Sequence, residues 1–137
     1  MLKSKYFNIS ELVAPEILAI MSEDACWRLI PDEVITGLDT LRLLHNRPIY
    51  INSKGLTNCG VRAVNSTTGA QQSGHKLYRG ETCFDLHSDH LNDLIAMVKA
   101  NFRQLGVSRI ENPLKTPSWL HVTFSKTSSA TLEVFDP

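Results

Sequence analysis

Apolar positions along this chain follow two patterns: spacings of three and four in some segments, and crowded β-branched and aromatic runs in others. Leu12, Val13 and Ile17 give a first stripe. Asn8, followed three positions later by Glu11, has the form of a capping box, so a short helix is predicted within Phe7–Ala19. A second helix is predicted from Pro31, a good first-turn residue, to about His45, with Val34, Ile35, Leu38, Leu41 and Leu44 on one face. The clearest helical period lies between Asp89 and Gly106, where Leu91, Leu94, Ile95, Val98 and Phe102 share a side. Strands are predicted at Pro48–Asn52, Val107–Ile110, Trp119–Phe124 and Thr131–Phe135. The last two, joined by Ser-Lys-Thr-Ser-Ser, are expected to form an antiparallel hairpin. Helices first and a mostly antiparallel sheet later predict one α+β domain over residues 1–137.

Between Ser53 and Gly80 the chain is dense in Gly, Asn, Ser and Thr and has no period. A loop of that length in a compact domain is usually functional or disordered. Disorder of the whole is excluded by composition, with 42% hydrophobic and 20% charged residues. The formal net charge of +0 gives no global field for nucleic acid or anionic membrane, so neither is expected as a partner. No apolar run approaches the roughly 20 residues of a membrane span. The N-terminus lacks the apolar core of a secretory signal, and synthesis in a cytoplasm is expected. Cys26, Cys59 and Cys83 are odd in number and widely spaced, which predicts free thiols in packed surroundings.

The residues with metal chemistry are His75 at the end of the polar loop, Asp85 before the long helix, and His121 inside a predicted strand. Two imidazoles and a carboxylate leave a zinc ion one open position, the arrangement of a catalytic site. Taken singly, each has a plainer role: a packed histidine, or an aspartate at a turn or helix start. His87 and His90 read as solvated residues near a helix N-terminus, and His45 as a histidine at a helix C-terminus. Cys83 and Trp27 read as core, Trp119 as a neighbour of the site, and Tyr78 and Arg79 as an exposed loop tip.

Five segments, in order, resemble the zinc D-alanyl-D-alanine carboxypeptidase family, which includes phage endolysin peptidases and shares the hedgehog/DD-peptidase fold. Phe7-Asn-Ile-Ser-Glu-Leu12 is similar to the family's F-x-x-S-E-F, and Pro48-Ile-Tyr-Ile-Asn-Ser53 to its P-I-x-I-x-S. Gly69-Ala-Gln-Gln-Ser-Gly-His75 resembles G-A-x-x-S-x-H, Cys83-Phe-Asp85-Leu86 resembles A-x-D-I, and Trp119-Leu-His121-Val122 resembles W-x-H-V. The resemblance implies that His75, Asp85 and His121 are the ligands of one Zn2+. Gly60-Val61-Arg62 is similar to a G-Y-R segment whose arginine polarises the scissile carbonyl or holds a substrate carboxylate, which implies that role for Arg62.

Two departures from the family pattern matter. His75 and Asp85 stand three residues further apart than the family spaces them, with the extra residues around Tyr78-Arg79. The family's catalytic carboxylate, three residues before the last histidine, is here Ser118, which has no basic function at neutral pH without a partner. Glu111 is the expected replacement, with Glu81 next. The implied function is a monomeric zinc peptidase hydrolysing peptidoglycan stem peptides, as a carboxypeptidase or an endolysin-type endopeptidase. It would act at the cell wall after release or as a virion component. The alternative is a module of the same fold that lost its base and kept a binding or structural role.

Overall fold

The computed structural model describes residues 1–69, 73–126 and 130–137. Residues 70–72, within the G-A-x-x-S-x-H-like segment, and residues 127–129, within the linker of the predicted hairpin, lie outside the described residues. Two short helices, α1 (Ile9–Leu12) and α2 (Pro15–Leu18), replace the single helix predicted at the N-terminus. Pro15 has no N–H and drives the residue before it into extended backbone, so Ala14 adopts φ −65° and ψ 148°. The break serves the fold. Val13 forms a parallel bridge with Val61, and the amides of Val61 and Ala14 bond to Leu12 and Val61 carbonyls at 2.8 Å each.

A third short helix, α3 (Glu23–Arg28), was not predicted; its Ser22 cap accepts the Ala25 amide hydrogen at 3.1 Å and it buries Cys26 and Trp27. Helix α4 (Asp32–His45) and helix α5 (Leu91–Leu105) match the two strong helical periods. Val34, Ile35, Leu38 and Leu41 are buried, but Leu44 lies off that face and is exposed. The two helices pack closely at Gly37, where an added Cβ would lie 2.2 Å from the Leu105 carbonyl oxygen.

The sheet holds β1 (Thr82–Leu86), β2 (Val107–Glu111), β3 (Leu120–Phe124) and β4 (Glu133–Phe135) in the order β1-β3-β2-β4. β3 runs antiparallel to both neighbours, while β4 runs parallel to β2. The expected hairpin between β3 and β4 is therefore corrected. Both edges of β3 are taken, by β1 and β2, and β4 joins the outer edge of β2. β1 is the strand the sequence reading missed, having placed Asp85 in the approach to a helix. The predicted strand at Pro48–Asn52 shrinks to one bridge, Tyr50 with His87, closed by two 2.8 Å hydrogen bonds.

Alternation along these strands divides the sheet into two faces. Phe84, Leu86, Ile110, Leu120, Val122 and Phe124 join α4 and α5 in one hydrophobic cluster. Cys83, Asp85, His121, Thr123 and Glu111 take the opposite positions. The fold is thus α+β, with helices burying one sheet face and polar chemistry gathered on the other.

Candidate metal centre

Asp85 and His121 are directly paired across β1 and β3. The Asp85 amide points away from β3 and donates to the Cys59 carbonyl at 2.7 Å. This leaves the two side chains side by side on the polar face. His121 Nδ1 lies 2.8 Å from Asp85 Oδ1. His75 arrives from a short 3-10 turn, Gly74–Lys76, capped by the Ser73 hydroxyl. Its Nε2 is 3.3 Å from both Asp85 Oδ1 and His121 Nδ1. All three donor atoms lie within 4.8 Å of one another, and no other such group of His, Cys, Asp and Glu forms among the described residues.

This donor set fits a metal ion. A tetrahedral zinc-type ion with ligands at about 2.0–2.2 Å separates its donors by about 3.3–3.6 Å. Two of the three separations are already 3.3 Å, and the 2.8 Å contact is a hydrogen bond that a metal would open by about half an ångström. The surroundings orient the donors as well. His75 Nδ1 donates to the Gly60 carbonyl at 2.9 Å, which turns Nε2 inward. Gly60 can approach because it lacks a side chain: a Cβ there would sit 2.2 Å from the Leu12 carbonyl oxygen. Behind His121, Nε2 lies 3.4 Å from the Thr123 hydroxyl, itself 3.3 Å from Cys83 Sγ.

Electrostatics bind the cluster together. Burial works against ionised Asp85, yet hydrogen bonds from His121 and His75 hold its carboxyl far below the usual carboxylate range. Burial likewise works against the charged His121 ring, but the hydrogen bonds to Asp85 and Cys83 raise it to about 10. The Asp85 carboxylate, 2.8 Å from Nδ1, thus favours the charged form of His121.

The structure brings Glu111 and Arg62 to this cluster. Glu111 Oε1 stands 3.8 Å from His121 Nδ1, on the adjoining strand. Arg62 Nη2 is 3.6 Å from Asp85 Oδ2, leaving Oδ1 to face the two histidines. The rest of its guanidinium is committed internally, with Nε donating to Asn58 O at 2.7 Å and Nη1 to Thr68 O at 3.4 Å. Glu81 is elsewhere, ion-paired to Arg109 at 3.0 Å, and Ser118 lies exposed in the turn before β3.

Of the other histidines, His45 Nε2 bonds to Ser88 Oγ at 2.8 Å in a buried position, and His90 precedes the first turn of α5 with its ring against Arg47. His87 serves the Tyr50 bridge through its backbone. All three cysteines are free, and burial beside Asp85 raises Cys59 to about 11.

Sequence reasoning missed Asn52. This buried side chain accepts the amides of Cys59 (2.8 Å) and Gly60 (3.3 Å) and donates to the Val13 carbonyl (3.1 Å). It thereby fixes both carbonyls that hold the site, Gly60 on His75 and Cys59 on Asp85. Its polarity at the end of an apolar strand-like run was the available signal.

No protein-family model matches this chain, and neither a curated protein nor a solved structure matches it.

Proposed function

We propose that the chain is a zinc-dependent peptidase that hydrolyses peptide bonds in peptidoglycan stem peptides. The observation that carries the reading is the Glu111 carboxylate, 3.8 Å from a ligand atom of a three-donor metal cluster. Two imidazoles and one carboxylate suit zinc and leave a position open to substrate. Held by His75, Asp85 and His121, zinc would supply Lewis acidity towards water and a carbonyl. Glu111 takes the proton from the attacking water and returns it to the leaving amine. It does from β2 what Ser118, in its exposed turn, lacks the chemistry to do. Arg62 holds Asp85 in its ligating orientation. Phe135, its ring centroid 6.0 Å from that of His121, walls the cluster on the β4 side. The stem-peptide assignment rests on the five family-like segments, and carboxypeptidase and endopeptidase action share this site.

A second reading, a binding or virion module of the same fold, is favoured by Ser118 at the position where the family carries a carboxylate. Mass spectrometry of zinc-loaded protein incubated with peptidoglycan and D-Ala-terminated stem peptides separates the two. Cleavage that a chelator stops, and that Glu111→Gln lowers by about 10²–10⁴-fold at unchanged zinc content, supports the peptidase. Intact peptides across the panel, with zinc bound, would establish the module instead.

A further inference from the structure

A groove of about 620 Å³ lies away from the metal cluster, between the first turn of α4, the last turn of α5, the end of β3 and the Arg79-Gly80 turn. Val34, Pro31 and Phe124 give it an apolar floor, and Arg79, Arg103, Lys126 and Glu33 stand around it. None of these four charged side chains makes an ion pair with another described residue. Three cations against one carboxylate leave an excess of two positive charges, on a chain whose net charge is +0. The groove is therefore a local concentration of charge, not part of a generally basic surface.

The Arg79 turn adds an independent observation. Arg79 has φ 56° and ψ 30°, and Leu77 has φ 58° and ψ 30°, left-handed backbone that non-glycine residues adopt only at a cost. Such outliers cluster at ligand clamps and switch segments. The Arg79 guanidinium lies 5.3 Å from the Tyr78 ring centre.

We infer that this groove is a binding site for an organic phosphomonoester. Its excess of two positive charges matches the charge of about −1.5 to −2 that a phosphomonoester carries near pH 7, whereas one carboxylate would leave a cation unbalanced. Two guanidinium forks and an ammonium supply donors for three phosphate oxygens. The apolar floor takes the carbon body, and the volume is that of an ordinary small-molecule pocket. The inference is independent of the peptidase reading, since no residue of the metal cluster lines the groove.

Titration calorimetry with phenyl phosphate, inorganic phosphate and benzoate tests it, on metal-loaded and chelator-treated protein. Phenyl phosphate should bind saturably and more tightly than either control, equally with and without metal, and more weakly as salt rises. Arg79→Gln and Arg103→Gln should each weaken it by about tenfold, with circular dichroism confirming that both variants fold. Failure of phenyl phosphate to saturate, or full affinity in both variants, would overturn the site. Equal binding of benzoate would overturn the phosphate assignment, and equal binding of inorganic phosphate the organic body. Loss of binding on metal removal would move the interaction to the metal cluster.

Discussion

His75 and His121 offer different nitrogens to the same point, Nε2 from one and Nδ1 from the other, because each ring is held from behind by a different group. The Gly60 carbonyl takes His75 Nδ1, and the Thr123 hydroxyl lies behind His121 Nε2. The cluster without metal is an ion pair, and its pH window follows from the two shifts. Asp85 is depressed from 3.8, so its contribution is present above that pH and is lost as pH falls through the lower folded value. His121 is raised from 6.5 to about 10, so its contribution is full below 6.5 and is lost as pH rises through about 10. A metal held through His121 Nδ1 would displace the proton on that nitrogen. Zinc binding at neutral pH should release one proton, and apparent affinity should fall about tenfold for each pH unit between 8 and 6. Calorimetry in buffers of different ionisation enthalpy reads the proton count; no release would mean that His121 is already neutral before metal binds.

At the scale of elements, the site depends on segments that contribute no donor atom. The α1–α2 break, the Cys59–Gly60 loop and the end of the Pro48–Asn52 run meet at Asn52, which bonds to all of them. Replacing it with alanine leaves two amides and a carbonyl unpaired in a buried place. Asn52→Ala should cost about 2 kcal/mol in denaturant unfolding. The same change should weaken metal binding by about 10-fold or more, because the Gly60 carbonyl that turns His75 loses its anchor. Lost stability with unchanged metal affinity would show that the loop holds the site without Asn52. The α4 and α5 periods were legible because a helix pattern is local: each turn reads its own neighbours. The first helix was misjudged where Pro15, visible in the sequence, broke an otherwise good stripe.

Across the whole molecule, helices bury one sheet face and the other bears two histidines, two carboxylates and the arginine that orients one of them. A metal held by the cluster on that face would add to the stability of the folded state. A ligand that binds only the folded state stabilises it by about 4 kcal/mol at a thousandfold excess over Kd. Chelation should lower the unfolding midpoint of native protein and leave His75→Ala, already metal-free, unchanged. No midpoint shift on chelation of the native protein would show that the cluster is held by its ion pairs alone. Residue identity and local spacing by themselves determined the two long helices and the apolar face of β3, and they offered His75, Asp85, His121 and Glu111 as candidates that the family resemblance, not spacing, grouped into one site. Each follows from side-chain chemistry or from a period readable within a few residues. Tertiary structure alone decided that β4 joins β2 instead of β3, that Asp85 lies within a strand opposite His121, and that Arg62 faces the Asp85 carboxylate. Strand partners are chosen by competition for free edges between segments far apart in the chain, and no local pattern encodes which edge is already taken.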